Sequence, residues 1–357
     1  MGARLALEQA ARVAFARGPA ELERIVPAWE ALARAALEPN PFYEPWMLLP
    51  ALRAFAGGQD LRLAQVWIGE ELAGLFPFER VRGYKGLPLP TLRSWRHPHC
   101  LLCTPLVRRD LTGFVLEKLF ACTGVPLVEF NYLPADEPFH RALARFKPVV
   151  TREYARPLLR KHCATMSGNL RRRLGRHERA LGKLGALARV TLRAGDDGAR
   201  WIDEFLALEA SGWKGRNGSA MACKDANRRY AAEIFGAALR RGRLMGCGLD
   251  LDGRPIARRL SFTAGEGAYA FKTAYDERYA DCSPGVLLEA DNVRQVDGDA
   301  DLQWMDSFTE DDNLALRRMW SAERRMQHVL VARGAWGRAA AAALPALRWL
   351  KARYSRS

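Results

Sequence analysis

Ser283-Pro284-Gly285 stands between two stretches of different period. Ala268–Tyr275 alternates as a strand does, whereas Val286, Leu287, Leu288, Ala290, Val293 and Val296 recur at helical spacing. Serine suits a helix N-cap, proline the first helical position, and glycine lets a ligand approach the backbone. Amide N–H groups at a helix start, placed at the end of a strand, are a ready site for a pyrophosphate. Ser283, Gly285, Val286 and Leu287 are therefore the expected phosphate-binding residues, against the plainer reading of an ordinary cap. Beyond them, Leu302–Phe308 reads as a strand ending in Asp306, a candidate base whose competing role is a loop or cap residue. Lys214 and Lys272 could bind a carboxylate or phosphate, or lie along aromatic surface with their ammonium groups in water. Arg258 and Arg259 are neighbours in a strand, so one guanidinium faces each side and one of them points toward a cleft or a carboxylate.

A rival constellation is His97-Pro98-His99-Cys100-Leu101-Leu102-Cys103, which holds the ligand types of a zinc site. Structural zinc draws its ligands from two separated knuckles, and Leu101–Leu102 reads as a buried strand, so no metal is expected. Cys163 beside His162 is a poor nucleophile candidate, because adjacent side chains rarely turn toward each other. The seven cysteines are scattered and odd in number, which fits reduced thiols and a cytoplasmic protein.

The elements that must hold these residues recur. A helix from Pro27 and another over Pro45–Ala56 precede a hairpin, Leu61–Trp67 and Leu72–Val81. A helix over Ala226–Arg240 precedes a second hairpin, Leu244–Leu251 and Ile256–Thr263, turning at Asp252-Gly253. A repeated order of elements is the sign of a duplicated unit, here offset by about 180 residues. After the second hairpin, strand, helix, strand, helix and strand (Gln327–Ala332) are expected in one α/β block, with an acidic turn at Glu310, Asp311 and Asp312. Between the halves, Arg171, Arg172, Arg173, Arg176, Arg179 and Lys183 surround Leu170, Leu174 and Leu181 in a basic amphipathic helix starting near Ser167. It is either a solvated face or a platform for a polyanion. Arg333–Ser357 carries Trp336, Trp349, Tyr354 and six cations with no acidic residue, which suits contact with an anionic membrane surface or packing as a terminal helix.

The chain has 357 residues, 49% hydrophobic and 27% charged, a composition that excludes a disordered or collagen-like protein and allows about two domains. Its longest apolar run is far too short to cross a bilayer, and its first residues lack the apolar core of a secretory signal. The net charge of +15 is partly a background of arginine; the informative part is where it clusters.

Leu208-Glu209-Ala210-Ser211-Gly212-Trp213-Lys214-Gly215, Phe271-Lys272-Thr273-Ala274-Tyr275-Asp276 and Ser283-Pro284-Gly285 together resemble the cellulose-biosynthesis-type acetyltransferases of the GNAT superfamily. That group is related to the Fem-type transferases built from tandem GNAT-like halves. Asn40-Pro41-Phe42, Pro45-Trp46 and His97-Pro98-His99-Cys100 are similar to its N-terminal signature. The resemblance implies an α/β fold of two GNAT-like halves, each a mixed, mainly antiparallel sheet flanked by helices. Residues 1–160 would form an N-terminal half, catalytic or degenerate, 161–332 the acyltransferase half, and 333–357 a basic tail. It implies direct acyl transfer from acetyl-CoA or another acyl-CoA to an amine or hydroxyl, the acceptor being a small molecule or a glycan, envelope or exopolysaccharide precursor in a cleft between the halves. Tyr275 or Tyr279 would be the acid and Glu209 or Asp306 the base, with substrate contacts at Trp213, Lys214, Arg258, Lys272 and Asp276. The superfamily's phosphate loop is usually richer in glycine; here Gly285 alone stands in the corresponding place. Two alternatives follow: Fem-like transfer from an aminoacylated tRNA, which would give the basic helix a nucleic-acid partner, or a non-catalytic adaptor of a membrane-bound polysaccharide machine.

Overall fold

The computed structural model describes residues 2–193, 195–310 and 314–354. Asp311 and Asp312 of the expected acidic turn and Arg356 of the basic tail lie outside the described residues, as do the side chains of Arg348, Trp349, Lys351, Arg353 and Tyr354. The chain forms two units, Met1–Tyr154 with Arg325–Ser357, and Ala155–Arg324.

The first unit is built on a mixed sheet. β1 (Ala11–Ala16), β2 (Leu61–Ile68), β3 (Glu71–Val81) and β4 (Thr91–Ser94) follow one another antiparallel, and the short β5 (Leu106–Val107) adds to β3. β6 (Leu127–Pro134) then lies parallel to β4 after the helix Thr112–Cys122. Apolar faces of these strands and that helix, including Phe76, Phe78, Leu116, Phe120 and Phe130, form one core.

The second unit repeats the plan. β7 (Val149–Arg160) enters it, β8 (Leu187–Thr191), β9 (Leu244–Leu251), β10 (Arg254–Ala264) and β11 (Gly267–Tyr275) run antiparallel in turn, and β12 (Trp304–Asp306) lies parallel to β11. The β9–β10 turn puts Asp252 and Gly253 at φ 49 and 73, the left-handed pair that an Asp-Gly hairpin favours. On one face pack the helices Gly168–Gly182 and Pro284–Gly298, through Leu174, Leu181, Leu287 and Leu288. On the other pack Gly198–Ser211 and Asp225–Arg240, where Phe205, Phe235, Phe262 and Phe271 form a chain of ring contacts. Ser167 caps the basic helix by accepting from Leu170 N at 3.2 Å, as its sequence predicts.

The last strand added to each sheet departs from the expected boundaries. The end of β7 pairs with β12 in the second unit, although β7 follows β6 in the chain. The place beside β6 is taken by β13 (Ala322–Ala332), which pairs with it antiparallel over Met326–Ala332. The expected run of three strands in one α/β block is thus broken after β12. The 333–357 segment is likewise no separate tail: its helix, Gly334–Tyr354, buries Ala341 and Leu344 against Leu127 and Leu330 of the first unit. None of the described helices is long and apolar enough to cross a membrane.

Candidate active site

β11 and β12 pair in parallel only over Gly267↔Trp304, Ala268↔Met305 and Tyr269↔Asp306. Beyond these pairs β11 continues to Tyr275 while the chain after Asp306 turns away, leaving a cavity of about 480 Å³ between them. A β-bulge sharpens the change: Leu260 faces Lys272 and Ser261 faces Ala270, so Phe271 is the extra residue and the strand is re-aimed there. The helix Pro284–Gly298 begins at the cavity's edge, with Ser283, Gly285 and Val286 on the wall. Ser307, Phe308 and Thr309 form the opposite side, Phe308 in the left-handed region at φ 53.

The helix start differs in detail from its sequence reading. Ser283 is itself left-handed, at φ 47, and its side chain makes no capping bond. Its carbonyl accepts from Val286 N at 3.0 Å and Leu287 N at 3.2 Å, and its own amide donates to Ala280 O, so these three amides are engaged within the chain. Leu287 is buried in the core rather than on the cavity wall. That leaves Gly285 as the amide suited to an anion. A Cβ there would lie 3.5 Å from the Tyr275 ring, an ordinary contact, so glycine keeps open room that the chain itself does not need.

Three cations reach the cavity: Lys214, Lys272 and Arg259. Arg259, not Arg258, is the guanidinium turned toward it. Strand alternation sends Arg258 to the other face, where Glu204 binds it at 2.7 Å, Asp250 at 2.6 Å, and the Trp201 ring lies 4.6 Å away. Arg259 forms a buried ion pair with Glu289, which also accepts from Trp320 Nε1 at 2.9 Å and Asn292 Nδ2 at 3.0 Å. Burial pushes the Lys272 ammonium below its ordinary pKa; nearby Glu209 opposes this and Lys214 adds to it.

Neither carboxylate expected as a base is placed to serve as one. Asp306 is fully buried and pairs with Arg156 at 2.7 Å and Arg324 at 2.9 Å, while accepting from Phe308 N. Burial is the largest influence on its pKa and raises it, but the two guanidiniums and the hydrogen bonds outweigh burial, so the net value is lowered. Glu209 is buried too, accepting from Met221 N at 2.9 Å and Lys214 Nζ at 3.3 Å. It fixes the Trp213–Arg216 turn, whose Gly215 is obligatory because a Cβ would fall 1.7 Å from Ala210 O.

Of the remaining expected residues, Tyr275 lines the cavity. Tyr279 packs partly on the core with Arg278 over its ring, Asp276 accepts from Arg278 and caps the turn after β11, and Trp213 is 52% exposed outside the cavity. Phe271, Ser307, Phe308 and Thr309 were not singled out as site residues; only the parting of β11 from β12 brings them in, and no local spacing announces it.

Residues 168–314 match the acetyltransferase (GNAT) domain family. This GNAT match spans the β8–β12 sheet and all of the cavity lining but Leu316 and Met319. The whole fold is similar to that of a crystal structure described as FemX, with a TM-score of 0.54 and 11% identity, covering 86% of this chain and 96% of that one. It is also similar to the C-terminal domain (DUF2156) of a putative lysylphosphatidylglycerol synthetase from Agrobacterium fabrum, with a TM-score of 0.52 and 12% identity over 90% of this chain and 95% of that one. A conserved protein of unknown function from Bacteroides thetaiotaomicron has a TM-score of 0.52 and 13% identity, over 90% and 100% of the two chains. At such identities the likeness is one of fold: a mixed, mainly antiparallel sheet flanked by helices. No curated protein sequence matches the chain.

Proposed function

We propose that the GNAT-type unit transfers an acyl group from an acyl-CoA to an amine or hydroxyl. The observation that carries this reading is the parting of two parallel strands with a helix start at its mouth. The open edge of β11 beyond Tyr269 can pair its backbone with the amides of an extended pantetheine, as a missing strand would. The Gly285 amide, the helix start and Lys272 would hold the pyrophosphate, with Lys214 beside them. Acyl-CoA supplies an activated carbonyl at the far end of the pantetheine. Tyr275 lines the cavity with its ring beside Gly285, at the pyrophosphate end, so the departing thiolate would take its proton from water. With Asp306 and Glu209 held in ion pairs, the incoming amine or hydroxyl would give its proton to water.

The acceptor reading follows from the resemblance to the cellulose-biosynthesis-type group: a sugar amine or hydroxyl of an envelope or exopolysaccharide precursor. Titrating acetyl-CoA by calorimetry tests the donor site. Tight binding that weakens at least tenfold in Gly285→Glu is the expected result; no binding, or equal binding by the variant, overturns it. Fem-like aminoacyl transfer is a second reading, favoured by the exposed Arg171, Arg172, Arg176, Arg179 and Lys183 on one helix. It requires aminoacyl transfer from charged tRNA; salt-sensitive tRNA binding without transfer would count against it.

A further inference from the structure

β4 and β6 in the first unit repeat the parting of β11 and β12. They pair in parallel over Thr91↔Leu127, Leu92↔Val128 and Arg93↔Glu129, then separate. A large aromatic residue in the left-handed region follows each separation, Tyr132 at φ 49 and Phe308 at φ 53. Such a conformation is strained for a bulky side chain, so its presence in both units marks it as part of how the cavities are built. The cavity beneath Tyr132 has a volume of about 830 Å³.

Its chemistry differs from that of its counterpart. The helix that follows β4 starts at Thr112 and contributes nothing to the wall, and among the described residues no helix N-terminus lines this cavity. Guanidiniums take that place. Arg96 and Arg152, both exposed, lie over the rings of Tyr132 and Tyr154 at 5.1 Å and make no ion pair among the described residues. Deeper in, Glu129 and Asn131 are only 7% and 6% exposed, and both line the cavity. Glu129 Oε1 accepts from the Tyr84 hydroxyl at 2.9 Å.

We propose that this cavity binds a phosphorylated sugar. The two guanidiniums present planar forks that match phosphate oxygens. The Glu129 carboxyl group and the Asn131 amide supply acceptors and donors for ring hydroxyls at a depth where water is scarce. The volume lies within the about 300–1,000 Å³ usual for a small-ligand site. The site stands apart from the acyl-transfer reading and does not depend on it.

Calorimetry on the full chain with glucose 1-phosphate, glucose, uridine monophosphate and inorganic phosphate tests it. Glucose 1-phosphate is expected to bind at least tenfold more tightly than each of the other three. Arg96→Ala with Arg152→Ala should lower that affinity at least tenfold without moving the thermal midpoint, since both side chains are exposed. Glu129→Gln should weaken glucose 1-phosphate and leave inorganic phosphate unchanged. Absence of glucose 1-phosphate binding, equal binding of inorganic phosphate, stronger binding of uridine monophosphate, or indifference to the arginine pair overturns the proposal.

Discussion

Asp306→Asn removes the carboxylate that Arg156 and Arg324 share in the interior. Breaking a buried pair in this way costs about 3–5 kcal/mol, and urea unfolding should register it. The pH dependence has a definite sign. Because the folded pKa of Asp306 is lowered, its stabilisation is complete above the ordinary carboxyl value of about 3.9 and is lost as pH falls through the lower folded value. Urea midpoints measured from pH 5 downward should therefore fall more steeply for the parent chain than for Asp306→Asn. Lys272 titrates in the opposite sense for ligand binding: an anion held by its ammonium is released as pH rises through a value below the lysine norm. Acetyl-CoA affinity should decline as pH rises through that value, and Lys272→Gln should flatten the profile. At this scale the sequence was only half legible. Strand alternation put Arg258 and Arg259 on opposite faces but could not say which face carried Glu289 and the cavity, since both helix layers were charged. Asp306 and Glu209 looked like bases because their ion-pair partners lie far away in the chain or on a neighbouring turn.

At the scale of elements, periodicity located the hairpins well: the turn at Asp252-Gly253 and the strand Leu244–Leu251 stand where the alternation put them. The helix start at Pro284 was equally clear, but not that the Ser283 carbonyl would accept from both Val286 and Leu287. A bulge such as that at Phe271 leaves no mark in an alternating pattern, because it is fixed by the partner strand. Gly215 gives an element-scale prediction. Gly215→Ala must displace the Trp213–Arg216 turn from Ala210 O, moving Lys214 with it. We expect a loss of about 1–3 kcal/mol, as for other overpacking changes, together with weaker acetyl-CoA binding. A shift in thermal midpoint and a calorimetric titration on the same sample check both.

On the scale of the whole molecule, two halves were foreseeable from the repeated helix and hairpin, whereas the exchange of the last strand added to each sheet was not. Pairing between β6 and β13 joins segments about 200 residues apart, and no local pattern encodes which edge a strand will choose. Removing residues 325–357 should strip β6 of its partner, expose Leu127–Leu133 as an open edge, and make the first unit aggregate or lose its hydrogen-exchange protection. Exchange protection in 155–324 should persist, because that unit is contiguous. The same connectivity sets a timetable for biosynthesis. The unit formed by residues 155–324 is complete on the ribosome before the other, whose residues 1–154 must wait with an unfilled sheet edge for residues 325–357 to emerge. Chaperone engagement on nascent chains should therefore concentrate on this waiting segment and end once residues 325–357 have emerged.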